Sequence, residues 1–507
     1  MSEFDNVNLG TANTADKQDE SKADTMTPLG QPRTQGHNSL MDAHASASQE
    51  TVSSAGIDTE KQDAGDGKFN RLGWKRLTVV LIVEAIALGC LGLPKSFAVL
   101  GMVPGVICSV GIGLIAIYTS HIVGQVKIKY PHVAHYADAG KLLAGKFGYE
   151  LIGAMFVLQL VFLVGSHCLT GTIAFDNIAN GPNMCALIFG VVSAIILLGL
   201  AIPPSFSEVA ILGYIDFVSI IAAVLITMIA TGIQRHSEAA SDWSAWPKEG
   251  TSFASAFIAI SNILFAYSFA ICQFSFMDEM HTPKDYVKSI WTLGIIEIFI
   301  YTVTGAVIYA FVGQDVQSPA LLSAGPTISR IAFGVALPVI FISGSINTTV
   351  VSRYIIKRVF KDSPIGNVVG VKGWAYWLGL VSLVTIIAWV IAEAIPFFED
   401  LLSISSSLFI SGFTFYFPAW MWFKLIREGP LFSRKNIVET LANIFITLIG
   451  LVTLVAGTYA SIKDIVSSKS LSFAATLRIV MLIVLSRCRN MRMAASRAHF
   501  HAPLLPK

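Results

Sequence analysis

From Trp74 onward the chain repeats one pattern, an apolar run of about 20 residues followed by a polar link. Each run is long enough, as a helix, to cross the roughly 30 Å hydrocarbon layer of a bilayer. The runs lie near 76–100, 103–126, 150–176, 185–203, 210–233, 253–276, 289–312, 327–352, 373–392, 397–424 and 437–462. Only 13% of the 507 residues are charged, where a soluble fold carries about 25%. The expected fold is an all-α polytopic membrane protein of about eleven transmembrane helices, with the lipid bilayer as its surroundings.

Basic residues alternate between successive links. Lys68, Arg71, Lys75 and Arg76 precede the first span, and Lys127, Lys129, Lys141 and Lys146 follow the second. Lys284 and Lys288 follow the sixth, Arg353 to Lys372 the eighth, and Lys424 to Lys435 the tenth. The opposite links hold little beyond Arg235, Lys248 and Arg330. By the positive-inside rule the amino terminus is cytosolic.

The first span is unlike an ordinary one. Glu84-Ala85-Ile86-Ala87-Leu88-Gly89-Cys90-Leu91-Gly92-Leu93-Pro94-Lys95 carries two glycines, a proline and two charges inside an apolar run. A helix interrupted within the bilayer survives only where its freed backbone groups line a protein cavity. Such helices hold substrate and coupling ions in secondary transporters. The sixth span, around Ile260 to Gln273, is also polar and rich in small residues at its centre. Spans 1 and 6 head two five-span sets, 74–233 and 253–424, with 437–462 as one extra helix. Interruptions at matching places in two halves point to an inverted-repeat binding site. Small residues such as Ser268 and Ala270 would serve close helix packing equally well.

Three stretches carry a family resemblance. Ile86 to Pro94 resembles the I-G-S-G-x-L-x-L-P signature of the amino acid/auxin permease family, departing from it at Ala87, Leu88 and Gly92. Phe265-Ala266-Tyr267 matches that family's F-A-Y, and Met280 to Tyr286 resembles its M-x-x-P-K-D-[FY] loop. Glu84-Ala85 ahead of these glycines looks most like fungal neutral amino acid permeases of the methyltryptophan-resistance type. The resemblance covers roughly 74–464. It implies the leucine-transporter architecture of a 5+5 inverted repeat plus one helix. It also implies secondary, ion-coupled uptake of neutral, including aromatic, amino acids, at the plasma membrane rather than the vacuole.

On that reading the substrate is a zwitterion held at the breaks of spans 1 and 6. Free N–H groups around Ala87, Leu88, Gly89 and Cys90 suit its carboxylate. Freed carbonyls near Ala85 and Phe265 suit its ammonium, and glycine at 89 and 92 lets backbone come close. Tyr267, Ser268, Phe269 and Ser166, within the third-span stretch Val164 to Cys168, complete the pocket. Glu84 is the first candidate for the coupling proton, because an ionisable residue inside a span is a functional hypothesis by default. Glu297, Asp216 and His167 are weaker candidates. Sodium stays open. The architecture puts a sodium site between the first span and hydroxyls of the eighth, where Ser343, Ser345, Thr348 and Thr349 lie. Hydroxyls bonding their own helix is the competing account of those four. A nutrient receptor on the same fold is the alternative to a transporter.

The six cysteines, Cys90, Cys108, Cys168, Cys185, Cys272 and Cys488, show no metal spacing and no paired framework. No cofactor or metal is expected, nor any nucleic acid partner. The chain lacks a His-rich box, a membrane protease pattern and a nucleotide loop, so an enzyme is not expected. Residues 1–73 have hardly any large apolar side chains and read as a disordered cytosolic tail. The end, 465–507, is atypical. A 15-residue apolar run, 471–485, is short for a span and precedes Arg487, Arg489, Arg492 and Arg497.

Overall fold

The computed structural model describes residues 73–468, apart from 87, 180–185, 205, 238–241, 279, 362 and 369. The amino-terminal tail expected over 1–73 lies outside them except for Gly73, as does 469–507 of the carboxyl end. Regular structure among the described residues is helical. The helices are α1 (Trp74–Ala85), α2 (Gly89–Leu100), α3 (Met102–Lys129), α4 (Tyr136–Ala179), α5 (Ala186–Leu200), α6 (Phe206–Ser237) and α7 (Phe253–Ala266). There follow α8 (Gln273–Asp278), α9 (Tyr286–Val312), α10 (Pro326–Val359), α11 (Gly370–Ala394), α12 (Phe398–Ile426) and α13 (Ile437–Val466). Eight stretches are long and apolar enough to cross a membrane, and α2, α5 and α7 are shorter apolar helices. Together they occupy the eleven expected places, with α1 and α2 forming the first span, and α7 and α8 the sixth.

The surface is the reverse of a soluble protein's. Ile107 is 63% exposed, Phe299 66% and Val455 70%, while Gln159, His167, Asp216, Asn262, Gln273 and Glu297 are buried. An apolar exterior suits hydrocarbon, and polar groups withdraw to where other helices can meet them. The interior helices α4 and α10 pack on each other, and α10 also packs along α6. Counterparts in the two five-span sets meet: α2 lies on α7, α3 on α9, α4 on α10, and α5 on α11.

Local sequence explains where the helices begin and stop. Gly101, at φ +83°, separates α2 from α3, and the freed N–H groups of Met102 and Val103 bond to the carbonyls of Ser244 and Ala245 at 3.0 and 2.9 Å. Ser252 caps α7, its hydroxyl accepting from the Ser255 N–H at 3.0 Å. The third span differs from expectation. Its helix begins at Tyr136, well before residue 150, and turns a corner at Ala144 and Gly145. Gly145 has φ +63°, a conformation glycine adopts at no steric cost. Lys127, Lys129, Lys141 and Lys146 therefore lie on helices, not in an open loop.

Candidate functional site

The first span breaks where the sequence suggested. α1 ends at Ala85, Ile86 leaves the helix, and α2 begins at Gly89 with Leu88 as its cap. Ala87 lies outside the described residues, as does the side chain of Glu84, whose backbone belongs to the last turn of α1. The freed Ala85 carbonyl accepts a 2.7 Å hydrogen bond from the Tyr301 hydroxyl of α9. Leu88, Cys90 and Gly92 are buried. Pro94 sits inside α2, where it deprives the Cys90 carbonyl of its helical donor.

The sixth span breaks beside the first. α7 ends at Ala266, and Tyr267 to Cys272 runs irregularly before α8 starts at Gln273. Gly89 is the contact between the two breaks, because a Cβ there would lie 2.6 Å from the Cα of Ala266. Its missing side chain thus serves the approach of two helices, a duty distinct from the approach to a ligand read from the sequence. Phe265, Tyr267 and Phe269 are buried, and Ser268 is half-buried. Gly92 faces Leu402 and Phe398 of α12 at ordinary contact distance.

Two tyrosines hold the breaks. The Tyr267 hydroxyl lies 3.2 Å from Ser109 Oγ on α3, which lies 3.0 Å from the Thr302 hydroxyl on α9. The Tyr267 and Tyr301 rings meet edge to face at 5.1 Å. Glu297, one turn before Tyr301, is fully buried, and among the described residues neither of its carboxylate oxygens has a hydrogen-bond partner. Asp216 is also buried, and accepts from the Ser343 hydroxyl of α10 at 2.7 Å.

The remaining candidates lie on α4 and α10. Ser166 bonds its own helix through the Phe162 carbonyl at 3.0 Å, and His167 Nδ1 lies 2.8 Å from the Ile340 carbonyl. Thr348 and Ser345 spend their protons on the carbonyls of Gly344 and Ile342 in α10, which is the competing account of these hydroxyls. Their oxygen lone pairs still offer ligands to a hard cation. Thr349 is buried on the same helix.

A polar seam that the sequence reading did not anticipate runs along α12. Ser405 donates to Gln159 of α4 at 2.8 Å, and Ser407 lies 2.9 Å from Ser261 of α7. Among the described residues the Gln159 amide nitrogen and the Asn262 carbonyl oxygen stay buried without partners. Ser406–Tyr416 winds as a wide π-helix, a geometry common at functional positions. The signal was present in Ser403-Ile404-Ser405-Ser406-Ser407, four serines inside an apolar span.

At the end of α3 a second network ties down α8. Lys127, only 4% exposed, pairs with Asp278 and donates to the carbonyls of Pro131 and Val133 at 2.9 and 2.7 Å. His135 Nδ1 lies 2.8 Å from Ser275 Oγ, and its ring meets Tyr354 of α10 edge-on. Burial holds the His135 ring below the ordinary histidine value. Asp138 and Asp278 oppose that shift, and Lys357 and Lys127 add to it.

The sequence profile described as "Transmembrane amino acid transporter protein" matches residues 70–463. The chain belongs to this family. An "N amino acid transport system protein" of Neurospora crassa is 64% identical over 417 residues, covering 81% of this chain and 89% of the relative. A "Transmembrane transporter" of Gibberella moniliformis is 30% identical over 422 residues, covering 80% and 88%. Among solved structures, the nucleobase-cation-symport-1 transporter Mhp1 aligns with a TM-score of 0.50 at 12% identity, over 81% of this chain and 96% of that one. That likeness concerns the fold, in which this amino acid transporter family member shares the leucine-transporter architecture. The match ends at residue 463, so the atypical 465–507 falls beyond it.

Proposed function

We propose that this transporter family member imports neutral, including aromatic, amino acids together with protons, by alternating access at the breaks of spans 1 and 6. The observation that carries the reading is the juxtaposition of the two breaks. Gly89 of one meets Ala266 of the other, and Tyr301 bridges them, its hydroxyl on the Ala85 carbonyl and its ring on that of Tyr267, far from the ends of either span. N–H groups at the start of α2 serve the substrate carboxylate, and carbonyls where α1 and α7 end serve its ammonium. Half-buried Ser268 is the proposed point of entry for a ligand between them. Ala87, Leu88, Cys90, Gly92, Phe265, Phe269 and Ser166 complete the proposed lining, and Glu84 carries a coupling proton. The amino terminus is cytosolic and the plasma membrane is the site of uptake. The two repeats, 74–233 and 253–424, exchange the site between the two sides.

Uptake of a labelled neutral amino acid, measured in cells expressing the chain, tests this. Accumulation should fall between about pH 5 and about pH 8, and a protonophore should abolish it. Glu84→Gln should keep exchange of internal for external substrate while losing uphill accumulation. Accumulation that persists with protonophore in sodium medium rejects protons and moves the coupling role to Thr348 and Thr349. Absence of any accumulation favours a receptor.

A further inference from the structure

Glu297 stands out among the buried groups that substrate binding does not use. It sits midway along α9 with no exposed surface and no partner for either oxygen among the described residues. Among the described residues, the groups that face it are uncharged. The phenol of Tyr267 approaches from the break of span 6, and that of Tyr301 lies one turn along α9, with the Cys90 thiol of α2 beyond it. From α3 comes apolar packing, with Ile117 against Gly294 and Gly113 against Ile298.

The charges on the packed helices lie elsewhere. Lys75 and Arg76 of α1 are exposed at its start, Lys95 of α2 lies toward Glu399 of α12, and Lys127, Lys129 and His121 sit toward the end of α3. Asp216 of α6 bonds Ser343 of α10. Glu84 of α1 is the remaining acid near the break, its side chain outside the described residues.

We propose that Glu297 is a proton-binding site of the transport cycle, carrying its proton whenever the bundle closes around it. An ionised carboxylate without a partner is too costly to hold in such surroundings, so closure requires the neutral acid. The step is simple: one carboxylate oxygen takes up a proton from water and the charge disappears, with no other bond made or broken. Ionisation, once water enters, reverses it and creates a strong acceptor beside two hydroxyls already engaged at the breaks. Tyr301 donates to the Ala85 carbonyl, and Tyr267 is linked to Ser109. A carboxylate that draws either hydroxyl away loosens the end of α1 or the start of the sixth-span break. The proton and the substrate contacts are therefore linked through two phenols.

This proposal rests on the proton-coupled reading above, and the experiment separates their failures. Glu297→Gln keeps the shape and mimics the protonated state. In proteoliposomes it should retain substrate exchange to within about threefold, while the pH gradient no longer drives accumulation and the ratio of inside to outside substrate falls to about one. Glu297→Asp, still titratable, should keep proton-driven accumulation with a displaced pH profile. If both exchange and accumulation vanish in the Gln variant, the Asp variant decides: a displaced profile supports the site, and an unaltered one overturns it. Wild-type pH dependence and accumulation in Glu297→Gln overturn the proposal while leaving proton coupling intact. Wild-type protein that ignores a pH gradient overturns the coupling reading itself.

Discussion

A methyl group at position 89 would sit 2.6 Å from the Cα of Ala266 and 2.9 Å from its Cβ. The nearer atom is backbone, so no side-chain rotation relieves the contact. Overpacking of this kind costs about 1–3 kcal/mol. Gly89→Ala should therefore lower uptake at equal surface abundance by about tenfold and reduce thermal stability. Adding Ala266→Gly removes only the second contact, so rescue should stay partial. Full rescue, or wild-type uptake in Gly89→Ala, would show that the breaks separate more easily than described. The sequence marked Gly89 through its company, Gly92, Pro94 and two charges within one span, yet could not say what comes near it. Tyr301 carried no mark at all, because an aromatic residue in an apolar helix is ordinary until a carbonyl is found against its hydroxyl.

Between helices, the network under α8 is the clearest device. Lys127→Met would leave two carbonyls and Asp278 without their donor, and lost partners of this type cost about 1–3 kcal/mol each when buried. Asp278 is half exposed and Pro131 is exposed, so the buried Val133 carbonyl carries most of that cost. A cysteine placed at Ser275 should then react faster with a membrane-impermeant thiol reagent applied to that face. Acidity should act in the same direction. The folded loop favours neutral His135, so its contribution is complete above the ordinary histidine value of about 6.5 and declines as pH falls below it. His135→Gln should make labelling at position 275 independent of pH across that window, and a persisting dependence would assign it to another group.

The spans themselves were legible at this scale, because length and apolarity alone decide what crosses a bilayer. Their interruptions were legible too, since glycine, proline and charge are costly there. The corner at Ala144–Gly145 was not, because one glycine among several gives no sign of its positive φ. The serine seam of α12 was visible only as composition, and needed Gln159 opposite it to acquire a direction.

For the molecule as a whole, the family match begins at residue 70, and the residues before it hold hardly any large apolar side chains. Deleting residues 2–65 should leave uptake per transporter at the surface unchanged, even if the number of transporters changes. Lower uptake at equal surface abundance, measured by labelling intact cells, would show that the tail reaches the bundle. Within the bundle, α2 and α7, one half of each broken span, are pressed together at Gly89 and Ala266, whereas the other halves, α1 and α8, have separate attachments. α1 leans on α9 and α6, and α8 leans on α3. The mechanical meaning is a pair of levers welded at one end and free at the other. On the proposed cycle α2 and α7 would swing as a single piece about the two unwound joints, while α1 and α8 would each follow its own neighbour. On the proposed alternating-access cycle, opening at the α2–α7 end therefore needs one rigid rotation, and opening at the α1–α8 end needs two independent ones.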